Sequence, residues 1–149
     1  MEDQQKTELL QSEYLHIQQT LESYDRRALS LKIWACCFTI SLLLIAYYLQ
    51  KEISFLLPPL AASLFWLVET QWKTFQYAHY QRAGKIEAFF AGKDSDILPM
   101  QIGEDWYKSW KEGGMPRFLK TALRSHVVLP HWILLLISLL PFFLGVEVI

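Results

Sequence analysis

Cysteine is scarce in this sequence: there are two in 149 residues, and they are neighbours, Cys36-Cys37. Adjacent cysteines rarely bridge each other and lack metal-ligand spacing, which argues against a disulfide framework and a zinc site. The pair reads as small buried hydrophobes. Proline and glycine are missing from residues 2–49, so nothing there interrupts a helix. No glycine-rich phosphate loop, nucleophile elbow, HExxH or CxxC occurs, and no paired acids are set for a soluble cleft. Arg124 and His131 share the R-x6-H spacing of HEPN ribonucleases, but that motif would run into lipid here and is set aside. No enzymatic activity is expected, with no catalytic residue, metal or cofactor. The first 30 residues are polar and acidic, without the n-region, h-region and cleavage site of a signal peptide, so the first apolar block is expected to be retained. An excess of one charge sign is also lacking. A net charge of −1 removes the basic field of a nucleic-acid binder, and none is expected as partner.

Apolar residues are what the chain has in quantity, 52% of the total, with 15% aromatic and only 19% charged. They gather in three blocks: Ile33–Leu49, Ile53–Val68 (extended to Trp72 if Glu69 is accommodated) and Val127–Val146. A membrane helix needs roughly 20 apolar residues. The third block meets that, and the shorter first two are flanked by Trp, Tyr and Lys suited to the headgroup level. The expectation is an all-α membrane protein with three transmembrane helices. Pro58, Pro59, Pro130 and Pro141 are tolerable inside them, with local kinks. Of fourteen Lys and Arg, four lie in residues 1–32, nine in 73–124, and only Lys51 lies in the turn 50–52. The positive-inside rule then predicts a multi-pass protein of the inner (cytoplasmic) membrane, N-terminus cytoplasmic and C-terminus periplasmic or external.

The polar arm is patterned. Leu10, Tyr14, Ile17, Leu21, Tyr24, Ala28 and Leu31 step by three and four, and the steps continue as Ala35, Phe38, Leu42, Ile45 and Leu49. One helix of roughly 70 Å is predicted. Past the second block, Trp72, Phe75, His79, Arg82, Ile86 and Phe89 step likewise, with Gly92 at the C-cap position. The short turn makes these helices an antiparallel α-hairpin over 1–92: arm 1–32, span 33–49, turn 50–52, span 53–72 and cytosolic helix 73–91. The seam residues, among them the polar His79 and Arg82, zip the hairpin or join neighbouring protomers. Aromatics on several faces favour a homo-oligomer. Placing the turn at Lys51 sets Glu69 level with Ile33 and beside Lys32, which predicts an interfacial Lys32–Glu69 ion pair.

Residues 93–115 read as a cytosolic connector around one short helix, where Asp105, Trp106, Tyr107 and Trp110 form an interfacial or docking surface. Residues 116–149 hold an amphipathic interfacial helix, 116–126, and the third span, 127–146. His131, an intramembrane polar residue one turn inside that span, is expected to snorkel toward the headgroups.

The phrases "ESYDRRALSLKIW" (22–34) and "QWKTFQYAHYQRAGKIEAFFAG" (71–92), within this architecture, resemble SLATT-type and related few-span bacterial inner-membrane proteins. The resemblance implies an oligomeric membrane effector of the bacterial defence type that perturbs or pierces the bilayer. The other reading is a scaffold or accessory subunit that docks a cytosolic or membrane partner through 93–126. In either case the lipid bilayer is the first partner.

Overall fold

The computed structural model describes residues 3–143. Among them are four α-helices and a 3-10 helix, and no strand. Helix α1 is Asp3–Leu49, the 3-10 helix Glu52–Leu56, α2 Leu57–Phe90, α3 Ile102–Ala122 and α4 Ser125–Phe143. Helix α1, the 3-10 helix together with α2, and α4 are each long and apolar enough to cross a membrane. The last residues expected in the third span, 144–146, and the tail behind them lie outside the described residues. So do residues 1 and 2 of the N-terminal arm.

The chain divides into two compact units. The first joins Met1–Arg26 to Trp72–Phe118, and the second joins Arg27–Gln71 to Leu119–Ile149.

The ends of the helices follow local chemistry. Helix α1 closes at Gln50, whose φ of 49° is left-handed and whose N–H donates to the Ala46 carbonyl at 3.0 Å. The connection is longer than the expected turn 50–52, because the 3-10 helix precedes α2. That shift puts Pro58 and Pro59 in the first turn of α2, where a missing N–H leaves no carbonyl unsatisfied and no kink is required. Helix α2 ends on Gly92 at φ 69°, with the Gly92 N–H on Phe89 and the Lys93 N–H on Ala88. This is the double-bonded left-handed cap that glycine adopts without steric cost.

The first unit has an ordinary apolar core. Leu10, Ile17 and Leu21 of α1 meet Ala83 and Ile86 of α2 and Ile97 of the connector, with Tyr14, Phe89 and Ile102 against them. Each fully buried Leu or Ile contributes on the order of 2 kcal/mol. Tyr14 donates to Glu87 at 2.9 Å and Lys73 to Asp25 at 2.5 Å, so residue numbers rise along one helix as they fall along the other. The connector differs from expectation. In place of a short helix and a separate one from 116, a single element runs from Ile102 to Ala122, broken at Gly114 with φ 45° and ψ −151°. Across the break Arg117 donates to both the carbonyl and the hydroxyl of Ser109, at 2.8 and 3.0 Å.

The second unit is built the other way round. Many of its inner positions are small or polar: Ala35, Thr39, Ala46, Ala62, Glu69, His131 and Ser138 are buried, and Leu134 closes on Ala35 and Ala62 with Phe65 and Leu135 beside it. Its outer positions carry Trp34, Phe38, Leu44, Leu64, Trp132 and Leu136. The expected first-span seam is therefore not what closes this unit. Phe38, Ile45 and Leu49 are 52%, 48% and 47% exposed, and Thr39 and Ala46 are buried in their place. The physical reason is that an all-apolar helix offers no polar contrast, so small side chains, which let backbones approach, mark the packed face.

Gly114 occupies a region that side chains tolerate poorly. Gly114→Ala is expected to cost roughly 1–3 kcal/mol, read as a lower thermal midpoint by circular dichroism, whereas Gly103→Ala, in open space with ordinary helical torsions, should not lower it.

Candidate functional site

The second unit holds a cluster to which all three of the longest apolar helices contribute. Glu69 of α2 is fully buried, and its Oε1 takes the ammonium of Lys32 from α1. Its Oε2 lies 2.9 Å from Nε2 of His131 on α4, which is also fully buried. The expected Lys32 contact is present, but His131 does not snorkel as expected: it turns inward to the carboxylate. An ionised carboxylate only accepts, so the histidine proton facing Glu69 sits on Nε2. His131 Nδ1 is then a buried lone pair with no hydrogen-bond partner. The Ala122 carbonyl accepts from Trp66 Nε1 at 3.1 Å, a further tie between α2 and the end of α3 within this unit.

A second cluster lies in the first unit. Arg82 donates through Nε and one terminal nitrogen to the two oxygens of Glu13, at 2.8 and 2.9 Å. Its other terminal nitrogen donates to Asp105 at 3.1 Å, and the one that reaches Glu13 also donates to the Leu98 carbonyl at 2.7 Å. Lys85 covers the second oxygen of Asp105, and the Met100 N–H donates to Glu13 at 2.9 Å. Burial alone would lower the Arg82 pKa, but the hydrogen bonds and charges of Glu13 and Asp105 outweigh it and hold the guanidinium above its ordinary value. Every strong donor and acceptor in this cluster is occupied. Glu13 was missed although it lies at seam spacing between Leu10 and Ile17. Asp105 was seen only as part of a docking helix.

The remaining expected residues are placed as follows. Leu10, Ile17 and Leu21 are core, with Tyr14 and Tyr24 half-buried beside them. Trp106 is not a free docking group: its Nε1 donates to the Phe75 carbonyl at 3.1 Å, and its ring stacks on Trp110 at 6.0 Å. Trp110 remains on the surface beside Tyr107. His79 packs between Tyr24 and Trp106, and its Nδ1 is buried without a partner. Burial, with help from His16, pushes its pKa down.

The chain matches no family model, no curated protein and no solved structure. What the sites can do therefore rests on their own chemistry. No group of three or more His, Cys, Asp or Glu among the described residues could hold a metal. A depression of about 480 Å³ between α2 and α3 is lined by Lys85 and Lys108 against Asp94 and Glu112, a balanced set with no preference for either charge sign. The Arg82 cluster is a saturated clamp of fixed charges. The Glu69 cluster sets one carboxylate between an ammonium and an imidazole.

Arg82→Met would strand Glu13 and Asp105, and a loss of about 3–5 kcal/mol is expected in chemical or thermal unfolding. Adding Glu13→Gln and Asp105→Asn should recover part of it. For His79, the folded pKa lies below the ordinary value of about 6.5, so its contribution is complete above that pH and is lost as pH falls through the folded pKa. His79→Gln should make the unfolding midpoint less sensitive to acid below about pH 6.5.

Proposed function

We propose that this is an integral, multi-pass protein of the inner membrane that works as a homo-oligomer and opens or perturbs the bilayer. The observation that carries the reading is the inverted second unit, with large apolar side chains outside and small residues around a buried ionisable cluster inside. In water such a surface would be an aggregation liability, whereas in lipid it is the expected solvent-facing composition. Charged groups within membrane segments are rare and commonly mark a functional path.

In this reading α1 and α2 form a long hairpin, half in the bilayer and half in the cytoplasm, with the turn and the C-terminus on the far side. Only 17% of the most apolar window of α1 is buried, which leaves most of that face for lipid or for neighbouring copies. Separation of the spans would expose Lys32, Glu69, His131, Thr39 and Ser138 to water and give a wettable path. The likeness to SLATT-type effectors fits this reading.

A scaffold role has one specific observation in its favour: Trp110, Tyr107, Leu98 and Met100 are exposed on the first unit.

The full-length protein, purified in detergent, should run as a particle of several protomers and release dye from liposomes after reconstitution. A monomer that leaves vesicles tight overturns the pore reading. Retention of one defined cytosolic partner, lost in Trp110→Ala, would then favour the scaffold.

A further inference from the structure

We propose that Lys32, Glu69 and His131 form a proton-operated latch, in which a proton on His131 Nδ1 loosens α4 from the first two spans. This rests on the reading of these helices as membrane spans.

With His131 neutral, the cluster contains one ammonium and one carboxylate. Lys32 occupies Oε1 of Glu69, and the His131 Nε2–H occupies Oε2. The net charge is zero and both carboxylate oxygens are satisfied. Only Nδ1 is idle, and an idle acceptor is the less costly kind of buried vacancy.

A proton arriving at Nδ1 changes both sums. The cluster becomes net positive, because the single negative charge is already matched by Lys32, and Nδ1–H becomes a buried donor with nothing to accept it. Burial of an unmatched charge and of an unsatisfied donor both oppose the closed arrangement. Both are relieved if α4 moves enough to admit water.

The groups packed around His131 do not cancel this. Helix α2 presents Glu69 and α1 presents Lys32, while α4 carries no other ionisable residue from Val127 to Phe143. One turn along, the half-buried thiol of Cys36 packs against Ala35, Ala62 and Leu134. A thiol is not a cation in any protonation state, so it adds no positive charge to the count. The contacts that would resist release are apolar: Leu134 on Ala35 and Ala62 with Phe65 and Leu135 beside them, the buried Val127, and Phe142 edge-on to Phe55. Burial of apolar surface between helices gains little in lipid, so the polar cluster is a substantial tie on α4.

The Arg82 cluster is the internal contrast. It too is buried and built from three segments, but it contains no imidazole.

The test uses full-length protein in liposomes with spin labels on Leu44→Cys and Leu136→Cys, two exposed positions on α1 and α4, in a Cys36→Ala/Cys37→Ala background. Going from pH 7.5 to 5.5 should lengthen and broaden the label separation. His131→Gln, which can still donate to Glu69 but does not titrate, should remove that response. Lys32→Met frees the Glu69 charge for a protonated His131, so acid should then shorten or sharpen the separation. The same acid response in all three proteins, or none in the parent, overturns the latch. If His131→Gln fails to fold, the comparison of Lys32→Met with the parent decides alone. Extraction of the parent protein from membranes by alkaline wash would instead overturn the membrane reading beneath it.

Discussion

A carboxylate with no access to water persists only if its charge is answered on the spot, and the second unit is organised around the one on Glu69. Helix α1 answers with Lys32 and α4 with His131, so a single side chain of α2 defines where its two neighbours must lie. The apolar contacts in this unit are too small and too uniform to do that. Rotating α4 by one residue would take His131 away from the only buried carboxylate among the unit's described residues.

The first unit inverts the arrangement, with a cation, Arg82, at the centre and carboxylates around it. Its surroundings are inverted as well, since Leu10, Ile17, Leu21 and Ile86 supply a conventional hydrophobic core. Helices α1 and α2 belong to both units, and each changes its packing along its length. Toward the N-terminal part of α1 the inward residues are large and aliphatic, whereas from Ala35 onward they are alanine and threonine. Large inward residues suit an element whose stability comes from excluding water. Small ones suit helices that gain by close backbone approach.

How much of this was legible depended on contrast. In the arm, polar positions frame Leu10, Ile17 and Leu21, and the three-four spacing picks them out directly. Lys32 and Glu69 could be related because both are lone charges at block edges and a short connection sets their depth. Inside the first block the contrast vanishes, and the spacing carried forward from the arm selected Phe38 and Ile45, which face outward. The signal there was residue size. His131 was misjudged because distance from a helix end was weighed and helix rotation was not, and rotation cannot be read from a stretch apolar on every face. The Arg82 clamp was half visible: an arginine on a seam calls for buried acids, and Glu13 stood at the matching spacing. Asp105 lies beyond a connector whose path no periodicity describes.

The clamp also bears on the order in which the chain can assemble during synthesis. Glu13 is made early, and Arg82 follows 69 positions later, with Asp105 another 23 beyond it. Until then the two ends of the first unit are separated by the apolar blocks, and the N-terminal arm has no partner for its core face. Closing so long a loop carries an entropic cost that its contacts must offset. The clamp itself is complete only once the ribosome has delivered Asp105.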